Sequence, residues 1–280
     1  MNTIANTVTL ALVWAQAQGL ERIDAQWLLL HVLGQPDAGR AWLIAHGDDA
    51  LAGTQWEQFS TLCARRAAGE PVAYLTGQKG FYGLDLRVDA RVLDPRPDTE
   101  TLVDWALNCL AGQSAPRVLD LGTGSGAIAL ALSHARPDAA VLAVDASADA
   151  LDVARANAER LRLPVQFLQS DWFSKVQGPF GLIVSNPPYI AEQDPHLPAL
   201  RHEPLSALVA GADGLRDLRA IAAAAPTHLV PGGWLLLEHG WDQAESVHAL
   251  LHAQGFEAVQ TRNDLAGIGR CSGAQWPRVK

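Results

Sequence analysis

Cysteine is scarce in this chain. Cys63, Cys109 and Cys271 stand far apart and no C-x-x-C pair occurs. That excludes a disulfide framework and a sequence-local zinc site, and the three thiols are expected to be buried or partly buried. No metal site is expected. No apolar run approaches the roughly 18 residues a membrane span requires. The first twenty residues also lack a basic stretch followed by an apolar segment and a small-residue cleavage site. The expectation is a cytoplasmic protein with no membrane association. Basic charge is in short supply as well: 21 Lys and Arg against 30 Asp and Glu give a net charge of −9 and a pI near 5.4. Residues 1–90 carry six basic against nine acidic side chains. Proteins that grip nucleic acid by its phosphates show a basic face, so direct nucleic-acid binding is not expected. The acidic balance suits a basic protein partner or a small molecule. Internal repeats and low-complexity tracts are absent.

The chain does have apolar material for a sizeable core, with 49 % hydrophobic and 18 % charged residues. From residue 3 to residue 68 the pattern is helical. Ala25, Leu28, Leu29, Val32 and Leu33 recur on one helical face, with Asp24 placed to cap or open the helix and Gly34-Gln35-Pro36 to end it. Segments 40–46 and 54–66 read as further short helices. A small helical bundle is expected over residues 1–75. The near-alternating Phe81, Tyr82, Leu84, Leu86 and Val88, with glycines at 77, 80 and 83, predict a connecting β-hairpin over 76–93. The third region, 94–280, opens on Asp94-Pro95-Arg96-Pro97-Asp98-Thr99-Glu100, a stiff loop in which Asp98 or Thr99 could cap a helix over 100–110. Strands and helices then alternate: strands at 117–121, 140–144, 165–168, 182–185, 234–237 and 256–260, with helices at 127–135, 148–162, 218–225 and 243–254. Such alternation predicts βαβ units and a parallel, doubly wound sheet with ligands at the carboxyl ends of its strands.

The strand ends are where the informative residues fall. Asp120-Leu121-Gly122-Thr123-Gly124-Ser125-Gly126 leaves the first strand and opens a helix. Its G-x-G-x-G spacing differs from the G-x-G-x-x-G of dinucleotide sites. Glycine lets a ligand approach the main chain, whose amides could hold the carboxylate of a methionine moiety, while Asp120 or a carbonyl could meet its amine. Asp145, at the second strand's end, could accept from ribose hydroxyls. Asp171 could accept from an adenine amino group and Trp172 could stack on the purine. Each feature alone also fits an ordinary turn, a helix-end charge or a core tryptophan, and together they leave nicotinamide and flavin open.

Ser185-Asn186-Pro187-Pro188-Tyr189 ends the fourth strand. Two consecutive prolines remove two backbone donors and lock φ, making a rigid turn. The Asn186 side-chain carbonyl and the Pro187 backbone carbonyl are two acceptors suited to a planar NH2 group, and Tyr189 could pack on its flat face. This arrangement suits in-line methyl transfer from a sulfonium to nitrogen, with positioning and desolvation supplying much of the rate. The turn contains no general base. Scattered histidines (His31, His46, His134, His196, His202 and His239) show no ligand or base spacing and are read as surface or packing residues.

These residues together resemble the bacterial protein-(glutamine-N5) methyltransferases, known as PrmC or HemK. The resemblance spans nearly the whole chain: Arg65-Arg66 with Gly69-Glu70-Pro71-Val72-Ala73-Tyr74-Leu75-Thr76-Gly77 in the leader, Pro95-Arg96-Pro97-Asp98-Thr99-Glu100, the glycine motif, Gln169-Ser170-Asp171-Trp172-Phe173, the Asn-Pro-Pro-Tyr turn, Glu203-Pro204 with Ala207-Leu208, and Leu236-Leu237-Glu238-His239-Gly240. The resemblance implies a Rossmann-like class I methyltransferase sheet with a small N-terminal helical domain, and S-adenosyl-L-methionine as cofactor. It implies cofactor binding at Gly122, Thr123, Gly124, Ser125, Gly126, Asp145, Asp171, Trp172 and Asn186. Asn186, Pro187, Pro188 and Tyr189 would bind the acceptor, with Asn186, Pro187 and Tyr189 carrying catalysis. The acceptor would be the glutamine of the Gly-Gly-Gln motif in class I peptide chain release factors, with the leader helping to hold that partner. Arg96 and Glu100 would be structural or cofactor-side. Asp94 departs from the family's usual apolar residue and is expected to be exposed or paired with Arg91 or Arg96. Asn-Pro-Pro-Tyr turns also occur in nucleic-acid base methyltransferases, the second reading, which the acidic balance disfavours. A non-catalytic cofactor-binding scaffold is the third, and it gives no reason for the turn.

Overall fold

The computed structural model describes residues 7–278. Residues 3–6 of the expected helical stretch and 279–280 at the end of the third region lie outside the described residues. The chain divides into two compact units that part between Gln78 and Lys79.

The first unit is helical: α1 (Val8–Ala17), α2 (Arg22–Val32), α3 (Gly39–Ala45), α4 (Gly53–Ala67) and α5 (Val72–Thr76). Its core is built from Ala11 and Ala15 of α1, Leu28 and Leu29 of α2, and Phe59 and Leu62 of α4. Val32 and Leu33 pack against that core from its edge, as the helical spacing requires. Asp24 is not a cap. It lies in the first turn of α2 and takes Arg66 of α4 at 2.6 Å, tying two helices together.

The second unit opens one residue into a hairpin, β1 (Gln78–Phe81) and β2 (Leu84–Arg87). Tyr82 and Gly83 both turn through positive φ. The Tyr82 amide is held at 2.8 Å by Glu100, in the first turn of α6 (Glu100–Cys109), so Glu100 has a structural partner. The strands β3 (Arg117–Leu121), β4 (Ala140–Asp145), β5 (Val165–Gln169), β6 (Phe180–Ser185), β7 (Leu229–Glu238), β8 (Glu257–Asn263) and β9 (Gly269–Gln275) form one sheet in the order β5-β4-β3-β6-β7-β9-β8. β3 to β7 are mutually parallel, as expected. The sheet is nevertheless mixed, because β9 inserts antiparallel between β7 and β8. β9 escapes sequence patterning: Gly269-Arg270-Cys271-Ser272-Gly273-Ala274 contains no β-branched or aromatic residue.

Helices α7 (Ala127–Ala135), α8 (Ala148–Leu161), α9 (Arg216–Ala224) and α10 (Ala244–Ala253) complete the unit. Leu119, Leu121, Ile183, Leu235 and Leu237 alternate onto one sheet face and share a core with Leu218 and Ile221 of α9 and Val247 and Leu251 of α10. The chain runs outward from β3 through β4 to β5, then returns to lay β6 on the other side of β3. That reversal is a topological switch point, where open α/β sheets leave a crevice at the strand ends.

Candidate active site

Parallel register brings four strand ends level. Leu121 pairs with Val144 and with Ser185, and Asp145 pairs with Gln169. The residues that follow line one cavity of about 620 Å³, which includes Gly122, Thr123, Gly124, Ser125, Asp145, Asp171, Trp172, Asn186 and Pro188. Three residues named from the sequence sit just behind that lining. Gly126 has φ +85° and caps α7, where an added Cβ would press on Leu130 and Ala154. The Pro187 ring is buried. Tyr189 packs inward, its hydroxyl 3.5 Å from Oε1 of Glu238.

The glycine turn is anchored to its neighbours. The amides of Gly122 and Thr123 both donate to the Val144 carbonyl at 2.9 Å. Asp120 lies beneath the turn, 1 % exposed. It accepts from the Thr123 hydroxyl at 2.7 Å and the Ala129 amide at 3.2 Å. Burial pushes its carboxyl up to about 7. Asp120 therefore braces the turn. Gly122 is needed for two reasons: its φ is +70°, and a Cβ there would lie 3.3 Å from the Trp172 ring.

Asp145 accepts from the Gly124 amide and the Ser147 amide, each at 2.9 Å. Burial raises its pKa and these backbone donors oppose the rise. Trp172 holds a left-handed conformation with φ +43°. The Ser170 hydroxyl secures it by donating to the Trp172 carbonyl at 2.9 Å. Asp171 is exposed at the cavity rim.

On the acceptor side, the Ser185 hydroxyl donates to the Leu121 carbonyl at 2.7 Å, joining the ends of β6 and β3. The Tyr189 carbonyl takes Gln243 at 3.0 Å, and Ile190 forms a bridge with Val209. Asn186 donates from Nδ2 to the Thr99 hydroxyl at 3.2 Å. Thr99 occupies the N-cap position of α6 without making a side-chain cap, which corrects the expected capping role; Asp98 pairs instead with Arg270 at 3.2 Å. Glu238 is 1 % exposed. Burial pushes its carboxyl up to about 7, against the pull of the Thr99 hydroxyl and Arg270. Burial and the Glu238 charge raise the Tyr189 phenol.

Asp94 is buried and paired. It meets Arg96 at 3.2 Å and Lys79 at 3.1 Å, while Arg96 also pairs with Glu203. Arg91 turns to Asp89 instead, at 2.7 Å. Thr99, Glu238, Glu203 and Arg270 were missed in the sequence reading as parts of this site. Thr99 was visible only as a cap candidate within residues 95–100, Glu203 and Glu238 only inside stretches that carry the resemblance, and Arg270 not at all; none of them has a spacing signal that marks a site. Asn157, fully buried in α8, was missed too. It clamps the Arg87 backbone from both sides, at 2.8 and 2.9 Å, and reaches the Ser125 carbonyl at 3.0 Å.

The family model for the methyltransferase small domain matches residues 99–205. A methyltransferase from Pyrococcus furiosus shares the fold, with a TM-score of 0.55 at 20 % identity over 79 % of this chain and all of that one. Sheet and strand-end cavity thus define a Rossmann-like methyltransferase domain. A second family model, the PrmC N-terminal domain, matches residues 12–77. The release factor glutamine methyltransferase of Xylella fastidiosa (strain Temecula1) is 53 % identical over 273 residues, 94 % of this chain and 98 % of that protein. Its Escherichia coli K12 counterpart is 48 % identical over 89 % of this chain and 90 % of that protein. The chain belongs to the release factor glutamine methyltransferase family.

Proposed function

We propose that this protein transfers a methyl group from S-adenosylmethionine to the side-chain amide nitrogen of the glutamine in the Gly-Gly-Gln motif of class I peptide chain release factors. The observation that carries the reading is the meeting of two motifs at one cavity: Asn186 and Pro188 share its wall with the glycine turn, Asp145 and Trp172. Family membership supplies the substrate class.

The donor set fits the cofactor. A cavity of about 620 Å³ lies within the range of small-molecule sites. The Asp145 carboxylate suits ribose hydroxyls, the Trp172 ring suits the purine face, and Asp171 suits its amino group. Gly122, Thr123, Gly124, Ser125 and Gly126 suit the methionine end through the turn's backbone. When bound, the cofactor supplies an electrophilic methyl group on a sulfonium. This chain's own part is positioning. The Asn186 side-chain carbonyl and the Pro187 backbone carbonyl accept from the two N–H groups of the glutamine amide. Those bonds push electron density onto a nitrogen whose lone pair is otherwise delocalised, and they strengthen as positive charge develops there. Pro188 stiffens the turn and Tyr189 backs it. The amide nitrogen gains the methyl and afterwards loses one proton.

Residues 94–280 form the catalytic region in this reading, 76–93 the connecting hairpin, and 1–75 the part that binds the partner. The work is cytoplasmic, needs no direct nucleic-acid contact and involves no membrane. Among the described residues no helix is long and apolar enough to cross one.

The test is incubation with radiolabelled S-adenosylmethionine and an unmodified class I release factor, beside the same factor with its Gly-Gly-Gln glutamine replaced by alanine. Label in the first and none in the second is the expected result. Equal label in both, or none in either, defeats the assignment.

A further inference from the structure

Beside Asn186 lies a buried carboxylate that no strand-end motif announces. Ser185 pairs with Leu237 across β6 and β7, so Asn186 and Glu238 come next on adjacent strands. Glu238 is faced by the hydroxyls of Thr99 and Tyr189 and by Arg270, with Asp98 near. Its Oε2 has no hydrogen-bond partner among the described residues. Thr99 stands between the carboxylate and the asparagine, accepting from Asn186 Nδ2 at 3.2 Å.

A threonine hydroxyl has one hydrogen to give and lone pairs to receive. Above about pH 7, where Glu238 is ionised, the hydrogen goes to the charged carboxylate rather than to the amide, because charge-assisted bonds are the stronger. Thr99 then offers Asn186 lone pairs alone, and only the NH2 end of the asparagine amide can use them. The carbonyl end is left for the cavity that Thr99 and Asn186 both line. Turned by half a rotation, Asn186 would present its own NH2 to the acceptor's NH2, donor against donor.

We propose that Thr99 and Glu238 are positioning residues that set the rotation of the Asn186 amide, so that its oxygen faces the nitrogen to be methylated. The inference rests on the acceptor-holding role given to Asn186 above.

The test uses the full-length protein at pH 8, where Glu238 is ionised, and two variants, Thr99→Val and Thr99→Ser. Valine keeps the shape, loses the hydroxyl and removes no helix cap, since Thr99 makes none. Thr99→Val is expected to lower kcat on an unmodified release factor about tenfold, the scale of one lost hydrogen bond to a buried polar group. KM for the release factor and Kd for S-adenosylhomocysteine should stay within about twofold, and Thr99→Ser should recover most of the turnover. The side-chain amide signal of Asn186, followed by NMR on asparagine-labelled protein, should move in Thr99→Val and return in Thr99→Ser. Wild-type turnover in the valine variant overturns the proposal. So does a loss shared by the serine variant, or one accompanied by equal loss of S-adenosylhomocysteine affinity. If wild-type protein fails to methylate the release factor, the functional reading falls, and the NMR result alone decides: an Asn186 signal unmoved in Thr99→Val overturns the positioning role, and one moved and then restored upholds it.

Discussion

At Gly122, backbone conformation and side-chain clearance act on one residue. Its φ of +70° is open to glycine and costly for a residue with a Cβ, and the Trp172 ring leaves only 3.3 Å where that Cβ would sit. Gly122→Ala therefore carries about 1–2 kcal/mol of backbone strain and displaces the ring expected to stack on the purine. Affinity for S-adenosylhomocysteine should fall at least about tenfold, because each 1.4 kcal/mol is a factor of ten in binding. Isothermal titration calorimetry checks this, and unchanged affinity would remove Trp172 and this turn from the cofactor site. Gly122, Asp145 and Asn186 could be named from the sequence because each ends or follows a strand, and a strand's carboxyl end is a place chemistry can be sought without coordinates. Thr99 and Glu238 were not legible as a pair. They lie 139 positions apart in the chain and meet only because the residue that leads into α6 lies beside the ends of β6 and β7. Asp120 shows the converse. It sits in the motif where a ligand contact could be expected, yet it lies beneath the turn: Thr123 and the Ala129 amide take its Oδ2, and its Oδ1 is buried without a hydrogen-bond partner among the described residues.

The strand that patterning missed carries a tight packing constraint of its own. β9 runs between β7 and β8, and Trp105 of α6 lies directly over it. At Gly273 an added Cβ would stand 2.8 Å from the Trp105 ring and would also strike Leu236. Trp105 is 2 % exposed and the Arg262 guanidinium stacks on it at 4.8 Å, so the ring has little room to retreat. Gly273→Ala is expected to cost about 1–3 kcal/mol, the usual penalty of overpacking a filled core. Urea unfolding of the two proteins gives that difference directly, and a cost within 0.5 kcal/mol would mean that α6 can lift from the sheet. The same constraint explains why β9 was invisible to a reading based on strand propensity. Gly273 is there because a tryptophan covers it, and propensity scales record the fit of larger side chains to a pleated face. Helices with a clear apolar stripe, such as α2 with Leu28 and Leu29, needed no such knowledge.

For the molecule as a whole, the two carboxyls pushed up to about 7 make stability depend on pH in a direction opposite to that of ordinary salt-bridged carboxylates. Asp120 and Glu238 have ordinary values of 3.8 and 4.5 and both are fully enclosed. Below about pH 3 each is protonated whether the chain is folded or not, and burial costs nothing extra. As pH rises toward 7, the unfolded chain releases these protons while the folded protein retains them, so the folded state loses ground; above 7 both states are ionised and the loss is complete. Asp138 and Asp213 titrate the other way, held at about 2 by Arg136 and Arg219, but their window closes below pH 4. The buried His239, its pKa lowered by burial, opposes the loss near its ordinary value of 6.5, so the wild-type curve alone does not isolate either carboxyl. Glu238→Gln does. The amide cannot ionise, so relative to wild type the variant should gain about 3 kcal/mol between pH 4 and pH 8, at 1.36 kcal/mol for each unit of pKa difference. Denaturant unfolding of both proteins at the two pH values measures the gain as a difference of differences, free of every group they share. A pH-independent difference would mean that Glu238 ionises in the folded protein as readily as in the unfolded chain, and the carboxylate beside Thr99 would then be charged from about pH 5 upward.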